Sequence, residues 1–301
     1  MQPDGFNLDA YFARIGYAGP RDASVGTLRA LHWAQATRIP FENLDALLRR
    51  HVPLDPPSRN GKLVGAMRGG YCFEHNALLA EALRALGFKV TGLIARVRWM
   101  TPPEDATPRS HMILKVETDE GPHIADTGFG AATLPVPLRF VGDEAQETPL
   151  EPFRLATRDD SYEMQALLGE DWTPLYRFTM EPQASVDYEA ANWYTSTHPR
   201  SLFTNHLVVC RPDEGVRYAL MNDRLTVRPL GGEPETRRLG DVDALVAALR
   251  DLFLIEVSAE DRAALGGWMK LWAAAGDGEV QASGDVVRER IEPPLAGDGG
   301  R

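Results

Sequence analysis

The sequence has few cysteines and no excess of positive charge, and each shortage excludes a class of protein. Only two cysteines, Cys72 and Cys210, occur among the 301 residues, and no CxxC pair is present. A disulfide framework and a structural zinc site are therefore not expected. The net charge of -11 argues against nucleic acid or an anionic membrane as a partner. A small anionic ligand needs only a local positive site, so this charge does not exclude one.

Long apolar runs are also absent. No stretch of roughly 18 consecutive apolar residues occurs, so no membrane-spanning segment is predicted. The first residues, Met1 to Phe6, lack a basic region followed by an apolar one, and no signal peptide is expected. By default these features favour a cytoplasmic location. Because 44% of the residues are hydrophobic, a sizeable core and more than one domain are expected.

The chain divides into helical and strand-like regions. Residues 4–90 show mainly helical periodicity, whereas residues 88–230 alternate as strands do. Residues 241–275 return to helix, and from residue 276 onward charge, glycine and proline dominate, which is typical of a loosely held tail. Several antiparallel strands of this length predict a small barrel or sandwich.

One segment, Arg68 to Asn76, combines a glycine pair with a cysteine and the start of a helix pattern. Gly69 and Gly70 permit a tight turn, and the helix pattern that follows ends at Gly87. Cys72 then lies at or near a helix N-terminus, where free N–H groups and the helix dipole favour a thiolate. The segment therefore predicts an activated, nucleophilic cysteine. The alternative is a small buried apolar residue, which is the commoner role of an intracellular cysteine.

A cysteine nucleophile needs a base, and the base needs an orienting group. His111 opens one predicted strand and Asp126 closes the next, with a hairpin loop centred at residues 119–120. The two side chains are then opposite or diagonal neighbours, about 5–8 Å apart. The carboxylate would fix the imidazole tautomer and direct the other ring nitrogen towards Cys72. A purely structural His–Asp bond at a strand end is the alternative.

Two further histidines lie within helix patterns. His75 follows Cys72 by three residues and lies near it on the helix, so it is the rival base. The sequence places no third group beside it. His32 lies inside a helix pattern, where a histidine with satisfied hydrogen bonds is more common than a catalyst.

Taken together, several segments resemble the arylamine N-acetyltransferase family. Arg68–Glu74 looks like the nucleophile segment of that family, and Ser110–His111 looks like its base. Asp126–Gly130 looks like its acid with the glycine-aromatic turn that follows. Two further segments, Ile39–Leu44 and Asn192–Pro199, are similar to family signatures, although the first alone also suits a core-packing corner. All of them fall in family order.

The resemblance implies an α+β fold with a transglutaminase- and cysteine-protease-like core. Residues 1–90 would form an N-terminal helical bundle that carries the nucleophile. Residues 91–205 would form a central antiparallel β-barrel that carries the histidine and the aspartate. Residues 206–275 would form a C-terminal α/β lid, and residues 276–301 a flexible tail.

The resemblance also implies roles for individual residues. The triad maps onto Cys72, His111 and Asp126. Supporting positions are Arg14, Glu42 and Arg68. The candidates for contacts with the acceptor or with coenzyme A are Phe41, Trp99, Ser110, Gly128, Phe129, Gly130 and Phe203. For each aromatic residue in this set, ordinary core packing is the alternative. The sequence departs mildly from the family pattern, with His75 where many members carry glutamine.

The implied reaction is a ping-pong acetyl transfer in xenobiotic metabolism. Acetyl-CoA serves as co-substrate, and an acetyl-Cys72 intermediate passes the acetyl group to an arylamine, hydrazine or N-hydroxyarylamine. No tightly bound cofactor and no metal are expected. Three alternatives stay open: a macrolactam-forming amide synthase, a hydrolytic transglutaminase- or peptidase-like enzyme, and a non-catalytic binder. A homodimer is compatible with the sequence, which does not determine the oligomeric state.

Overall fold

The computed structural model describes residues 6–274, and the tail predicted for residues 276–301 lies outside this range. The N-terminal region is helical. Its helices are α1 (Leu8–Ile15), α2 (Val25–Arg38), α3 (Leu44–Leu47), α4 (Pro56–Asn60) and α5 (Cys72–Ala85), with a π-helical turn at Gly61–Gly65. The core of this region is continuous from α1 and α2 to α5, which lies against the barrel strands.

The ends of the first helices follow from local chemistry. The Asn7 side chain accepts a hydrogen bond from the first turn of α1, and Gly16 ends that helix at a φ of 68°. Ser24 caps α2 in the same way. The helix ends at Arg38 because Ile39 precedes proline and takes an extended conformation. The two helices lie in the region, residues 4–90, that was predicted to be mainly helical.

A seven-stranded antiparallel sheet forms the centre of the molecule, with the order β5-β4-β3-β2-β8-β7-β6. Its strands are β2 (Lys89–Val97), β3 (Arg109–Thr118), β4 (Gly121–Ala125), β5 (Leu138–Arg139), β6 (Phe153–Arg158), β7 (Ser161–Leu168) and β8 (Asp171–Phe178). Isolated bridges from Gly142 to Leu155 and from Gln146 to Phe153 join the segment after β5 to β6. The sheet is therefore nearly closed, and the predicted α+β fold with a β-barrel is confirmed.

A second antiparallel sheet lies near the C-terminus, in the order β1-β9-β10-β11-β12. It contains β1 (Phe41–Glu42), β9 (Val208–Asp213), β10 (Val216–Met221), β11 (Arg224–Pro229) and β12 (Glu235–Arg238). Leucines of this sheet share a core with α8 (Val242–Asp251) and α9 (Ala259–Ala274). Strand β1 comes from the N-terminal region and pairs with β9, so this sheet joins that region to the C-terminal α/β lid.

Two helices interrupt the region predicted to be strand-like, so that prediction is wrong for α6 (Ser185–Thr197) and α7 (Leu202–Asn205). The buried face of α6 is mostly polar, with Asn192 and Ser196 among its buried residues. Asn192 Nδ2 donates to the carbonyl of Val52 at 2.8 Å. Because hydrogen bonds rather than apolar contacts anchor this face, the sequence lacks the apolar helical periodicity on which the prediction depends.

Between residues 6 and 274, no helix is both long and apolar enough to cross a bilayer. The same part of the chain contains no group of three or more histidine, cysteine, aspartate or glutamate residues that could hold a metal ion.

Candidate active site

Cys72 is the first residue of α5, and the turn before it is bound to β1. Glu42 N donates to Gly70 O at 2.8 Å, and Gly70 N donates to Pro40 O at 3.3 Å. A Cβ atom on Gly69 would lie 2.2 Å from Pro40 O, so only glycine fits at this contact. The thiol is almost fully buried, and its Sγ lies 3.6 Å from the carbonyl oxygen of Ser110.

His111 and Asp126 form a buried pair beside this cysteine. The β3–β4 hairpin pairs Leu114 with Ala125, as the predicted loop position requires, and His111 Nε2 lies 2.7 Å from Asp126 Oδ2. Burial alone would lower the pKa of His111, but the Asp126 carboxylate, with a smaller contribution from Cys72, raises it to about 10. His111 is therefore an imidazolium at neutral pH.

The Asp126 carboxylate is held ionised by its hydrogen bonds. Burial acts to raise the pKa of Asp126, but the charge and hydrogen bond of His111 bring it below the usual value. The other oxygen, Oδ1, accepts from Asn76 Nδ2 and from Gly128 N, both at 2.9 Å. The Tyr176 hydroxyl faces the same carboxylate but makes no well-aligned hydrogen bond.

His32, which the helix pattern alone gave no reason to select, contacts Asp126 directly. Its Nε2 accepts the backbone N–H of Asp126 at 3.0 Å, and its Nδ1 lies 3.1 Å from Pro135 O. Burial lowers the pKa of His32 to about 4, so the ring is neutral and Nε2 keeps its acceptor lone pair. The available signal was a polar face within a buried helix, since α2 buries His32 and Gln35 beside its leucines.

Two amide side chains, also not selected from the sequence, hold the residue after Asp126. Gln35 Nε2 donates to Thr127 Oγ1 at 2.8 Å and to the carbonyl of His75 at 2.9 Å. Asn76 Oδ1 accepts the backbone N–H of Thr127 at 3.0 Å. Helices α2 and α5 thereby position the end of β4.

His75, the rival base, is neutral and bound elsewhere. Its Nε2 lies 3.0 Å from Pro40 O, and burial lowers its pKa to about 4. Its Nδ1 is buried without a hydrogen-bond partner among residues 6–274. This geometry favours His111 over His75 as the partner of Cys72, because only His111 has a carboxylate that orients it.

The predicted aromatic residues fall into two groups. Phe129 lies 5.2 Å from the His111 ring and 6.3 Å from Trp99, measured between ring centroids. Phe41 and Phe203 lie 5.8 Å apart in a different hydrophobic cluster, and Phe203 is 5.5 Å from Tyr71. Phe129 therefore packs against the His111 imidazole and Trp99 packs against Phe129, whereas Phe41 and Phe203 pack near Tyr71, the residue before Cys72.

The two glycines after Asp126 have different surroundings. A Cβ on Gly128 would lie 2.7 Å from Cys72 Cα and 3.0 Å from His75 Cβ, so this glycine lets the loop pack directly on α5. Gly130 has a φ of +98°, which glycine adopts readily. Close packing thus explains Gly128 without a ligand, and the predicted approach of pantetheine to these two glycines stays a prediction.

The three residues expected to support the site, Arg14, Glu42 and Arg68, hold the turn that precedes Cys72. Arg14 donates to the carbonyls of Leu63 at 2.8 Å and Arg38 at 2.7 Å, and more weakly to those of residues 67 and 68. Arg68 binds Glu42 Oε1 through Nε at 3.0 Å and Nη2 at 2.8 Å. Arg14 thus holds the backbone of the turn, and Arg68 ties it to β1.

This arrangement suits nucleophilic acyl transfer, because a thiol at a helix N-terminus lies beside an imidazolium that a carboxylate orients. With the α+β fold, it is the arrangement expected of an acyl-transferring enzyme that uses a cysteine. The N-acetyltransferase family model matches residues 24–262. The chain is 42% identical to an arylamine N-acetyltransferase of Escherichia coli K12 over 248 residues, which cover 82% of this chain and 88% of the relative.

A further relative and a solved structure are similar to this chain over most of its length. An arylamine N-acetyltransferase of Mycobacterium tuberculosis H37Rv is 39% identical over 258 residues, which cover 84% of this chain and 90% of the relative. The structure of the Mycobacterium marinum arylamine N-acetyltransferase in complex with CoA superposes with a TM-score of 0.84 at 37% identity, covering 87% of this chain and 98% of that one. The chain belongs to the arylamine N-acetyltransferase family, and the resemblance seen in the sequence is confirmed.

Proposed function

We propose that the protein transfers an acetyl group from acetyl-CoA to an arylamine, a hydrazine or an N-hydroxyarylamine through an acetyl-Cys72 intermediate. The observation that carries the proposal is the 2.7 Å contact between His111 and Asp126 beside the buried thiol of Cys72. Relatives named arylamine N-acetyltransferase support it. One of them, from Salmonella typhimurium and 38% identical over 253 residues, is also named an N-hydroxyarylamine O-acetyltransferase.

In the first half-reaction, the Cys72 thiolate attacks the carbonyl carbon of the thioester. A new carbon–sulfur bond forms to Cys72 and the bond to coenzyme A breaks, while the His111 imidazolium gives its proton to the departing thiolate. Free N–H groups at the start of α5 would stabilise the oxyanion of the tetrahedral intermediate. Thioester exchange is nearly balanced in free energy, so this step needs little driving force.

In the second half-reaction, a neutral amine attacks the acetyl carbon of acetyl-Cys72. The carbon–nitrogen bond forms, the bond to Cys72 breaks, and the now neutral His111 takes the amine proton to become an imidazolium again. Asp126 keeps the ring oriented and stabilises its positive charge through the 2.7 Å contact. The amide is more stable than the thioester, so this half-reaction drives the cycle.

The residues that the sequence predicted as substrate contacts are also part of the proposal. Phe129 and Trp99 lie on the His111 side, where a flat aromatic acceptor would stack as it approaches the acetyl group. Phe41 and Phe203 would close the other side. Ser110, Gly128 and Gly130 are the proposed contacts for acetyl-CoA. The M. marinum relative was solved with CoA, which supports coenzyme A as the carrier.

Location and assembly are part of the proposal. A cytoplasmic protein that works on small amines and coenzyme A fits the family and the sequence. Cell fractionation would test the location, and light scattering of the purified chain would test the homodimer.

Incubation with acetyl-CoA alone, followed by intact mass measurement, tests the mechanism. One acetyl unit should appear on the wild-type chain and disappear when an arylamine is added. Cys72→Ala should carry none, while Cys210→Ala, the matched control at the other cysteine, should carry one. An unmodified wild-type chain would contradict the proposal, and labelling only by a carrier-bound acyl group would favour an amide synthase instead.

The roles of His111 and Asp126 are tested in the same assay. His111→Ala and Asp126→Asn should each reduce acetyl transfer by roughly 10³–10⁴-fold, the loss typical of a disrupted triad. If acetyl-Cys72 formed but water, rather than the amine, released the acetyl group, the hydrolytic alternative would be favoured.

A further inference from the structure

An ion-pair network joins the C-terminal helix α9 to the turn that precedes Cys72. Its members are four acidic and three basic side chains from five parts of the chain: Glu42, Asp45, Glu74, Asp261, Arg50, Lys62 and Arg68. Glu42 and Arg68 were expected to support the site. Asp261 was not, and it is the buried member that α9 contributes.

Asp261 occupies the first turn of α9, where its backbone N–H donates to the Ser258 side chain at 3.0 Å. The residue is only 8% exposed. Its Oδ1 lies 2.5 Å from Arg50 Nη2, and its Oδ2 lies 3.9 Å from Arg68 Nη1. A carboxylate buried to this degree requires cationic partners, and both partners come from the N-terminal region.

From Arg68 and Arg50 the network continues inward to the start of α5. Asp45 Oδ1 lies 3.6 Å from Arg68 Nη2, and Asp45 Oδ2 lies 2.8 Å from Lys62 Nζ. Lys62 also binds Glu74 Oε1 at 2.8 Å. Glu74 Oε2 accepts the backbone N–H of Tyr71, the residue before Cys72, at 3.1 Å. An unbroken set of contacts therefore leads from α9 to the cap of the nucleophile helix.

We propose that Asp261 is a positioning residue for the nucleophile: it holds Arg50 and Arg68 in place, and thereby fixes the turn from Arg68 to Gly70 and the position of Cys72. This inference rests on the proposed function, in which Cys72 is the nucleophile. Without the Asp261 charge, both guanidinium groups compete for the Asp45 oxygen that already lies within 3.9 Å of each. Arg68 then moves from Glu42, and the glycine turn loses its side-chain anchor on β1, which leaves only its backbone hydrogen bonds there.

The neighbouring acidic residue provides a matched control. The side chain of Glu260 is 88% exposed and lies 3.8 Å from Arg50 Nη2. A solvent-exposed pair of this kind contributes little to structure. Glu260→Gln removes the same charge from the same helical turn, yet it leaves the buried contacts of Asp261 intact.

The test compares Asp261→Asn, Asp261→Glu and Glu260→Gln by the rate at which iodoacetamide alkylates Cys72 at neutral pH. Acetylation of Cys72 by acetyl-CoA and by the small donor p-nitrophenyl acetate is measured in parallel. Asp261→Asn should slow all three reactions by about tenfold or more, because a small displacement of a reacting group is costly. Its Kd for coenzyme A should stay within about twofold of the wild-type value, since the partners of Asp261 are Arg50, Arg68 and Ser258 and none of these is a proposed co-substrate contact.

Asp261→Glu should recover part of the rate, and Glu260→Gln should match the wild type. Wild-type alkylation and acetylation rates in Asp261→Asn would overturn the proposal, even if the melting temperature fell. A weaker Kd for coenzyme A with unchanged alkylation and acetylation rates would overturn it as well. If Asp261→Asn does not fold, Asp261→Glu decides, because it must then show an intermediate loss. Alkylation does not depend on acetyl transfer, so failure of the proposed function would be recognised separately.

Discussion

The backbone N–H of Asp126 donates to Nε2 of His32 at 3.0 Å, across 94 residues of sequence. This bond fixes the main chain of Asp126, while the side chain of the same residue binds His111 at 2.7 Å. A helix of the N-terminal region thus positions the carboxylate that the barrel presents.

We predict that His32→Leu destabilises the protein by about 1–3 kcal/mol, because it leaves the buried N–H of Asp126 without an acceptor. Acetyl transfer should fall together with stability. Urea denaturation and steady-state rates would measure the two effects. The control is His123→Leu, another buried histidine whose hydrogen bonds stay within its own hairpin. This control should lose stability without a matching loss in kcat, and an equal loss in kcat would contradict the prediction.

Tyr176 separates the effect of a hydroxyl from that of a ring. Its ring centroid lies 4.8 Å from that of His111, whereas its hydroxyl makes no well-aligned hydrogen bond. Tyr176→Phe should therefore cost less than about 1 kcal/mol. Tyr176→Ala should cost about 3–5 kcal/mol, since it opens a cavity beside the imidazole. Thermal and urea unfolding would show whether the two variants differ in this order, and equal losses would show that the hydroxyl matters.

The raised pKa of His111 predicts how stability depends on alkaline pH. The folded pKa is about 10, above the value of about 6.5 for an unfolded chain. The imidazolium therefore stabilises the fold fully below about pH 6.5, and this contribution is lost as the pH rises through about 10. Unfolding free energies measured across this range should fall in the wild type and fall less steeply in His111→Gln. Parallel curves would place the cause in another group.

His75 contributes to stability on the acidic side. Its pKa of about 4 in the folded state lies below the unfolded value of about 6.5, so the unfolded chain binds more protons between these values. Stability should fall as the pH drops through this window, and His75→Gln should weaken that dependence. Acetyl transfer should stay within a few-fold of wild type, because His75 binds Pro40 and lacks an orienting carboxylate. Loss of transfer in His75→Gln, with His111→Ala still active, would reverse the base assignment.

Much of the fold could be predicted where local rules decide it. Asn7 and Ser24 cap α1 and α2 through side-chain hydrogen bonds to the first turn, and Gly16 and Ile39 follow the last residue of each helix. The short loop of the β3–β4 hairpin determines its register, which is why the sequence alone predicts that His111 and Asp126 are neighbours. Helix α6 was missed because its buried face is polar, and periodicity analysis depends on apolar residues.

By itself, the sequence determined the glycine turn before Cys72, the hairpin pair and the family, because glycine conformations, strand alternation and short-range spacing are properties of neighbouring residues. Only the tertiary structure decided what surrounds them. Three histidines of identical chemistry show this: His111 gains a carboxylate and stays charged, whereas His32 and His75 are buried without one and stay neutral. Burial and distant partners set these pKa values, and both arise only when segments far apart in the chain are packed together.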